Sequence, residues 1–292
     1  MTLLEEKQKI ETEYIEKKLF FYLDSLQIPA ILNDAMKYSL SAGGKRVRPF
    51  LAVAVSQLLG KDKELVMPYA AALEFIHTYS LIHDDLPALD NDDLRRGRPS
   101  SHKAFGEDLA ILAGDALNAD AFSIIFEFGH GNFKKGGKYF SRAVGGRGMV
   151  LGQVKDCRIP EDKRNIEVLN DINLFKTGAL IMASTAGAAA WLDADEYSIS
   201  ALENYGLNLG LAFQIADDIL DITSSTEELG KKVGSDAALN KKTYPFLLGI
   251  EKAGEKALEH SQRAKSALDF FEDSEWKQVL TELADFVIRR RK

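Results

Sequence analysis

Residues 65–90 read LVMPYAAALEFIHTYSLIHDDLPALD. Apolar side chains recur there at helical spacing, at Leu65, Tyr69, Leu73, Ile76 and Tyr79, and no apolar–polar alternation competes with them. The pattern predicts a helix over 63–84 that stops near Asp85, because Pro87 cannot continue it. On an unbroken helix Asp84 and Asp90 would stand about 240° apart around the axis. A chain that breaks and curls back lets Asp90 approach Asp84 instead.

The same organisation returns late in the chain, where Phe213-Gln214-Ile215-Ala216 leads into Asp217-Asp218-Ile219-Leu220-Asp221. On a helix Asp217 and Asp221 share one face, a turn apart. Outward from these two stretches, helical spacing runs through most of the sequence. It predicts helices near 3–25, 29–41, 47–59, 63–84, 107–128, 138–156, 165–191, 196–222, 242–252, 255–271 and 274–288. The breaks fall at Gly43-Gly44, Gly60, Pro87, Gly97 to Pro99, Gly129 to Gly137, Pro160 and Ser224 to Ser235. None reads as a domain linker, so the expectation is an all-α fold in a single domain over 1–292.

The 292 residues are 46% hydrophobic, enough for a substantial core, and carry a formal net charge of −7. That charge argues against a general binder of nucleic acid or membrane surfaces, so an anionic ligand must meet a local basic cluster. The single Cys157 forms no internal disulfide, and the opening MTLLEEKQKIETEY is too charged for a secretory signal, which fits a cytoplasmic setting. The uncharged run Gly178 to Leu192 is fifteen residues long and rich in alanine, too short to span a bilayer. It reads as a tightly packed internal helix.

Clustered carboxylates at the ends of apolar helices repel one another unless a cation compensates them, and Mg²⁺ takes oxygen ligands from a few carboxylates plus substrate phosphates. One Asp pair would be an ordinary solvated face. Two acidic clusters accompanied by basic segments point to metals holding a diphosphate. The basic segments are Gly43-Gly44-Lys45-Arg46-Val47-Arg48-Pro49, where Lys45 and Arg48 can project toward an anion, and Asp92-Asp93-Leu94-Arg95-Arg96-Gly97-Arg98, whose arginines suit bidentate phosphate contacts. His77 lies two helical turns before Asp84 on nearly the same face. Lys176-Thr177-Gly178, Gln214, Lys231 and Lys241 add donors in the second half.

Seven segments in this order resemble the trans-type, head-to-tail isoprenyl diphosphate synthases, and specifically the bacterial farnesyl diphosphate synthases: GGKRVRP (43–49), SLIHDDLPALDNDDLRRGRPSSH (80–102), AILAGDAL (110–117), KTGALI (176–181), FQIADDILD (213–221), LGKKVGSD (229–236) and KKTYP (241–245). The resemblance implies an all-α fold around a deep cavity, a homodimer, and Mg²⁺, three ions with the allylic diphosphate. It assigns Asp84, Asp85 and Asp90 to metals on one side and Asp217, Asp218 and Asp221 on the other, with Arg95, Lys176 and Lys231 sharing the chemistry. By the same resemblance Lys45, Arg48, His77 and Arg96 hold isopentenyl diphosphate. Arg95, Lys176, Thr177, Gln214, Lys231 and Lys241 hold the allylic diphosphate. Lys242 doubles the usual single lysine before Thr243-Tyr244-Pro245, leaving the choice between Lys241 and Lys242 open. Local departures from the family pattern occur at Leu151, Ala216 and Lys232.

The implied reaction joins isopentenyl diphosphate to dimethylallyl or geranyl diphosphate, with farnesyl diphosphate as product and geranylgeranyl diphosphate as the alternative. In resembling farnesyl synthases an aromatic residue five positions before the first Asp, here Tyr79, floors the cavity. A terpene cyclase would carry a different second metal motif, and five scattered histidines do not build a metal phosphohydrolase. A non-catalytic subunit could lose metal-ligand positions that are all filled here.

Overall fold

The computed structural model describes residues 1–223 and 242–289. Helix α1 (Leu3–Ser25) opens with a reciprocal cap: Thr2 Oγ1 accepts from Glu5 N at 3.2 Å, and Glu5 Oε2 accepts from Thr2 N at 2.8 Å. Helices α2 (Ala30–Leu40) and α3 (Val47–Leu58) come next, then a 3₁₀ turn (Lys63–Leu65) and α4 (Met67–Asp84). Pro68 lies in the first turn of α4, where its missing N–H costs no helical bond. Every residue from Met67 to Ile76 is buried, so α4 is hydrophobic all round and stands at the centre of the molecule.

Beyond α4 comes a two-residue hairpin, β1 (Leu94–Arg95) against β2 (Arg98–Pro99), and a short α5 (Ser101–Phe105). Helix α6 (Glu107–Phe128) packs along α4. The expected helix over 138–156 is two helices, α7 (Gly136–Val144) and α8 (Met149–Arg158), because Gly145, Gly146 and Gly148 interrupt it. The expected helix over 165–191 runs from α9 (Ile166–Asn173) through α10 (Ala179–Met182) to α11 (Ala188–Trp191), with π-helical segments at Leu174–Gly178 and Ala183–Gly187. From Gly178 to Leu192 every residue except Met182 is buried, as the alanine content implies.

Helix α12 (Glu196–Thr223) forms the second axis. Beyond residue 242 come α13 (Tyr244–Leu248), α14 (Ile250–Ala267) and α15 (Glu275–Arg289), with Gly249 at φ +81 dividing the stretch that periodicity joins as 242–252. Helix α12 packs mainly on α14, and a large apolar core joins α4, α6, α11 and α12. Among the described residues only α6 is long and apolar enough to cross a membrane by length and composition, and 39% of its most apolar stretch is buried inside the protein.

Candidate active site

Helices α4 and α12 each end in acid. Asp84 is the last residue of α4, and Asp217, Asp218 and Asp221 occupy the last two turns of α12. Carboxylates at helix C-termini face the negative end of the macrodipole, which makes both ends unfavourable unless a cation is bound nearby. The chain does curl back after α4: Asp90 N donates to the Asp84 carbonyl at 2.9 Å.

The acidic side chains are not equivalent. Asp85, only 2% exposed, accepts from Arg95 Nε at 3.0 Å and also from Arg95 Nη2. Asp218 accepts from Gln214 Nε2 at 3.0 Å and from Tyr244 N at 3.2 Å. The Asp84 carboxylate has no ion-pair or hydrogen-bond partner among the described residues. Burial pushes it up to about 6 against the pull of Lys176, and the charges of Asp90 and Asp85 add to the rise. A hard divalent cation would relieve that excess charge, and Asp84 and Asp90 fit it better than the arginine-bound Asp85. Among the described residues no group of three Asp, Glu, His or Cys side chains is gathered closely enough to form a complete metal site by itself. That suits an ion whose remaining ligands come from phosphate and water.

Two adjoining cavities lie here, and Asp84 lines the first of them. One, of about 310 Å³, has walls of Tyr79, Leu81, Leu89, Met149, Val150 and Val154, with Asp84 and Lys176 on its lining. The other, of about 470 Å³, is lined by Gly44, Lys45, Arg48, His77, Arg96 and Phe213. Arg48, His77 and Thr177 line both. Burial lowers the Arg48 guanidinium to about 10, still charged at neutral pH. His77 is driven well below its usual range by burial and by the neighbouring Arg48, Arg96, Arg95 and Arg46, so it is a neutral hydrogen-bonding ring.

The GGKRVRP loop takes its shape from Arg46. That residue adopts a left-handed conformation at φ 45, is 3% exposed, and places Nη1 2.8 Å from Glu74 Oε1. With Arg46 turned into the core, Lys45 and Arg48 are left to line the basic cavity. Lys45 Nζ also lies 5.2 Å from the ring centroid of Phe286 on α15. Arg96, in a left-handed turn at φ 53, donates from Nη1 to the Gly43 carbonyl and so ties the hairpin to this loop.

On the opposite wall Lys176 and Thr177 lie in the first π-helical segment, a feature that recurs at functional sites. Lys176 Nζ is 2.7 Å from Asp156 Oδ2, and Arg164 Nη1 is 3.0 Å from Asp156 Oδ1. Burial works to lower Lys176, but Asp156 and Asp84 carry it above its ordinary value. Thr177 Oγ1 donates to Gln214 Oε1 at 3.1 Å, so Thr177, Gln214, Asp218 and the Tyr244 backbone form one chain of hydrogen bonds. Glu161 Oε2 accepts from Lys242 N at 2.7 Å, fixing the start of the KTYP segment. Lys231 and Lys241 lie outside the described residues. Arg46, Glu74, Asp156, Glu161 and Arg164 escape a sequence reading because each matters through a partner remote in the chain; only the GGKR context of Arg46 marks a segment worth inspecting.

An anion can thus be held in one cavity by fixed cations, while the other combines an acidic rim, an adjacent lysine and an apolar depth. Comparison with known proteins gives the same direction. The sequence profile described as "Polyprenyl synthetase" matches residues 29–283. A farnesyl diphosphate synthase of Geobacillus stearothermophilus is 45% identical over 271 residues, covering 91% of this chain and 90% of that protein. A chloroplastic geranylgeranyl pyrophosphate synthase of Capsicum annuum is 44% identical over 267 residues, covering 90% of this chain and 72% of its own. A crystal structure of a polyprenyl synthase from Caulobacter crescentus CB15, complexed with calcium and isoprenyl diphosphate, superposes with a TM-score of 0.90 at 31% identity, covering 100% of this chain and 98% of that one.

Proposed function

Since the chain belongs to the polyprenyl synthetase family, and is a prenyl transferase acting on isopentenyl and allylic diphosphates, we propose that its main product is farnesyl diphosphate. The observation that carries this reading is the buried Tyr79, 8% exposed, in the wall of the apolar cavity that starts at Asp84. A bulky ring one and a half helical turns below the acidic rim limits the hydrocarbon that can be accommodated.

Isopentenyl diphosphate is held by Lys45, Arg48, His77 and Arg96, with neutral His77 donating a hydrogen bond rather than charge. Asp84, Asp85 and Asp90 with Asp217, Asp218 and Asp221 form the acidic rim. Asp84 and Asp90 face the metal directly on one wall, while Arg95 and the Gln214 amide orient Asp85 and Asp218. The residues fit Mg²⁺, three ions with the allylic diphosphate, which when bound would neutralise the charge that develops on the leaving diphosphate. Arg95, Lys176, Thr177, Gln214, Lys231 and Lys241 complete the allylic site. Lys176 places a fixed positive charge where diphosphate gains charge as the C–O bond breaks, the differential binding that lowers the barrier. Holding both diphosphates aligns the isopentenyl double bond with the allylic carbon. The apolar walls exclude water that would capture the allylic cation.

We read the 292 residues as one domain and the working form as a cytoplasmic homodimer. Supporting the dimer, α6 leaves Phe126 71% and Leu112 57% exposed, and Phe126 stacks on Phe133 at 5.8 Å. The test is product identification after incubation with isopentenyl diphosphate and either dimethylallyl or geranyl diphosphate, with Mg²⁺ or chelator. Farnesol after dephosphorylation, in the Mg²⁺ samples alone, is the expected result. Geranylgeraniol as main product would overturn the product length while keeping the reaction.

A further inference from the structure

A second ring stands against Tyr79 in the lining of the apolar cavity. His83, one turn beyond Tyr79 on α4, also lines the cavity, and its ring meets the Tyr79 ring edge-on, with centroids 5.6 Å apart and planes at 80°. His83 is seated against α6: its Nε2 lies 3.1 Å from the Ile111 carbonyl oxygen. A carbonyl only accepts, so Nε2 carries the proton and the ring orientation is fixed. Asp115 Oδ1, at 3.9 Å, is too distant to compete.

The seat exists because residue 114 is glycine. A Cβ there would stand 2.2 Å from His83 Nε2 and 2.5 Å from Cδ2, far inside contact distance. Gly114 therefore lets the Nε2 edge of the imidazole approach the α6 backbone, which holds the ring edge-on against Tyr79. Tyr79 and His83 line the same cavity side by side, so the position of one ring constrains that of the other.

We propose that His83 is a specificity-determining residue: held on α6 over Gly114, it buttresses Tyr79 and so sets how long a hydrocarbon the cavity accepts. This rests on the reading that Tyr79 floors the cavity. The role is steric and needs no change of protonation. Removing the ring, or unseating it from α6, lets Tyr79 swing into the vacated space and opens the depth for another five-carbon unit.

The experiment compares product lengths from wild type, Tyr79→Ala, His83→Ala, Tyr79→Ala/His83→Ala and Gly114→Ala, each given isopentenyl and geranyl diphosphates with Mg²⁺. His83→Ala is expected to raise the ratio of twenty- to fifteen-carbon product by about tenfold or more, the scale on which small steric differences discriminate in apolar pockets. Gly114→Ala, which leaves α4 untouched and displaces the ring from the other side, is expected to shift the ratio the same way. The double variant should match Tyr79→Ala, since a buttress has no effect once the floor is gone. A wild-type ratio from His83→Ala overturns the proposal, and if that variant makes no product, a wild-type ratio from Gly114→Ala does so. Longer products from Tyr79→Ala together with an unchanged ratio in the other single variants would sink the buttress and keep the floor. An unchanged ratio in Tyr79→Ala would sink the floor itself, and the buttress with it.

Discussion

Lys176 Nζ lies 2.7 Å from Asp156 Oδ2, and the backbone of the same lysine passes so close to Gly152 that a Cβ there would stand 2.1 Å from Lys176 N. One turn of α8 thus fixes the lysine twice, by charge at its tip and by contact at its root.

Asp156→Asn removes the counter-charge of a half-buried ammonium. A charge-assisted hydrogen bond contributes about 1.5–3 kcal/mol, so kcat/KM for the allylic substrate should fall by roughly 10- to 150-fold. Steady-state kinetics with each substrate varied in turn would check this; a loss confined to isopentenyl diphosphate would contradict it.

Gly152→Ala cannot be accommodated by side-chain adjustment, because the obstruction is backbone. Overpacking of this kind costs about 1–3 kcal/mol. Thermal unfolding should show a lowered Tm and, as α8 moves away carrying Asp156, a raised KM for the allylic diphosphate.

Glu74→Ala leaves the Arg46 guanidinium, whose side chain is 1% exposed, without its principal partner. Breaking one side of a buried pair costs about 3–5 kcal/mol. Urea denaturation should report that loss, accompanied by weaker isopentenyl diphosphate binding as the GGKRVRP loop loses its anchor.

The depressed His77 gives a pH signature. In the unfolded chain a histidine takes up a proton below about 6.5, whereas folded His77 does not. The unfolded state therefore binds more protons there, and stability contributed by this residue is lost as pH falls below that value. His77→Asn should flatten the decline on acidification. Asp84, raised in the folded protein, acts in the opposite sense from 3.8 to about 6, and cancels when the variant is compared with wild type at each pH. Parallel stability curves would contradict the assignment.

Mg²⁺ and inorganic diphosphate together should raise Tm by more than the sum of either alone, since binding to the native state stabilises by mass action and each completes the other's coordination. Asp84→Asn is expected to abolish that synergy. Retention of the full effect would remove Asp84 from the metal-binding wall.

Much of the fold is legible in the sequence. Periodicity locates α1, α4, α6, α12 and α15 closely because each is long and strongly patterned. Pro87 correctly announces the turn that returns Asp90 to Asp84. Three places are not legible. The split of α7 from α8 depends on consecutive glycines overriding a continuous apolar stripe. The π-helical segments keep helical composition, so a spacing pattern joins them silently. The pairings Arg46–Glu74, Asp156–Lys176 and His83–Ile111 depend on helix neighbours that a single chain of letters does not order. The acidic and basic motifs identify the cavity walls, but not which carboxylates are already held by protein donors.

The two π-helical segments, Leu174–Gly178 and Ala183–Gly187, set the wall's register. Each inserts an extra residue into the helical path, turning the downstream helix by about 100°. The segment is therefore a ratchet with two clicks. A one-residue deletion within it would relax one click and restore regular hydrogen bonding, yet would rotate Lys176 and Thr177 relative to Trp191. Substitutions can only adjust this wall, whereas changes in length re-index it, so the reach of Lys176 and Thr177 is encoded in a count of residues as much as in their identity.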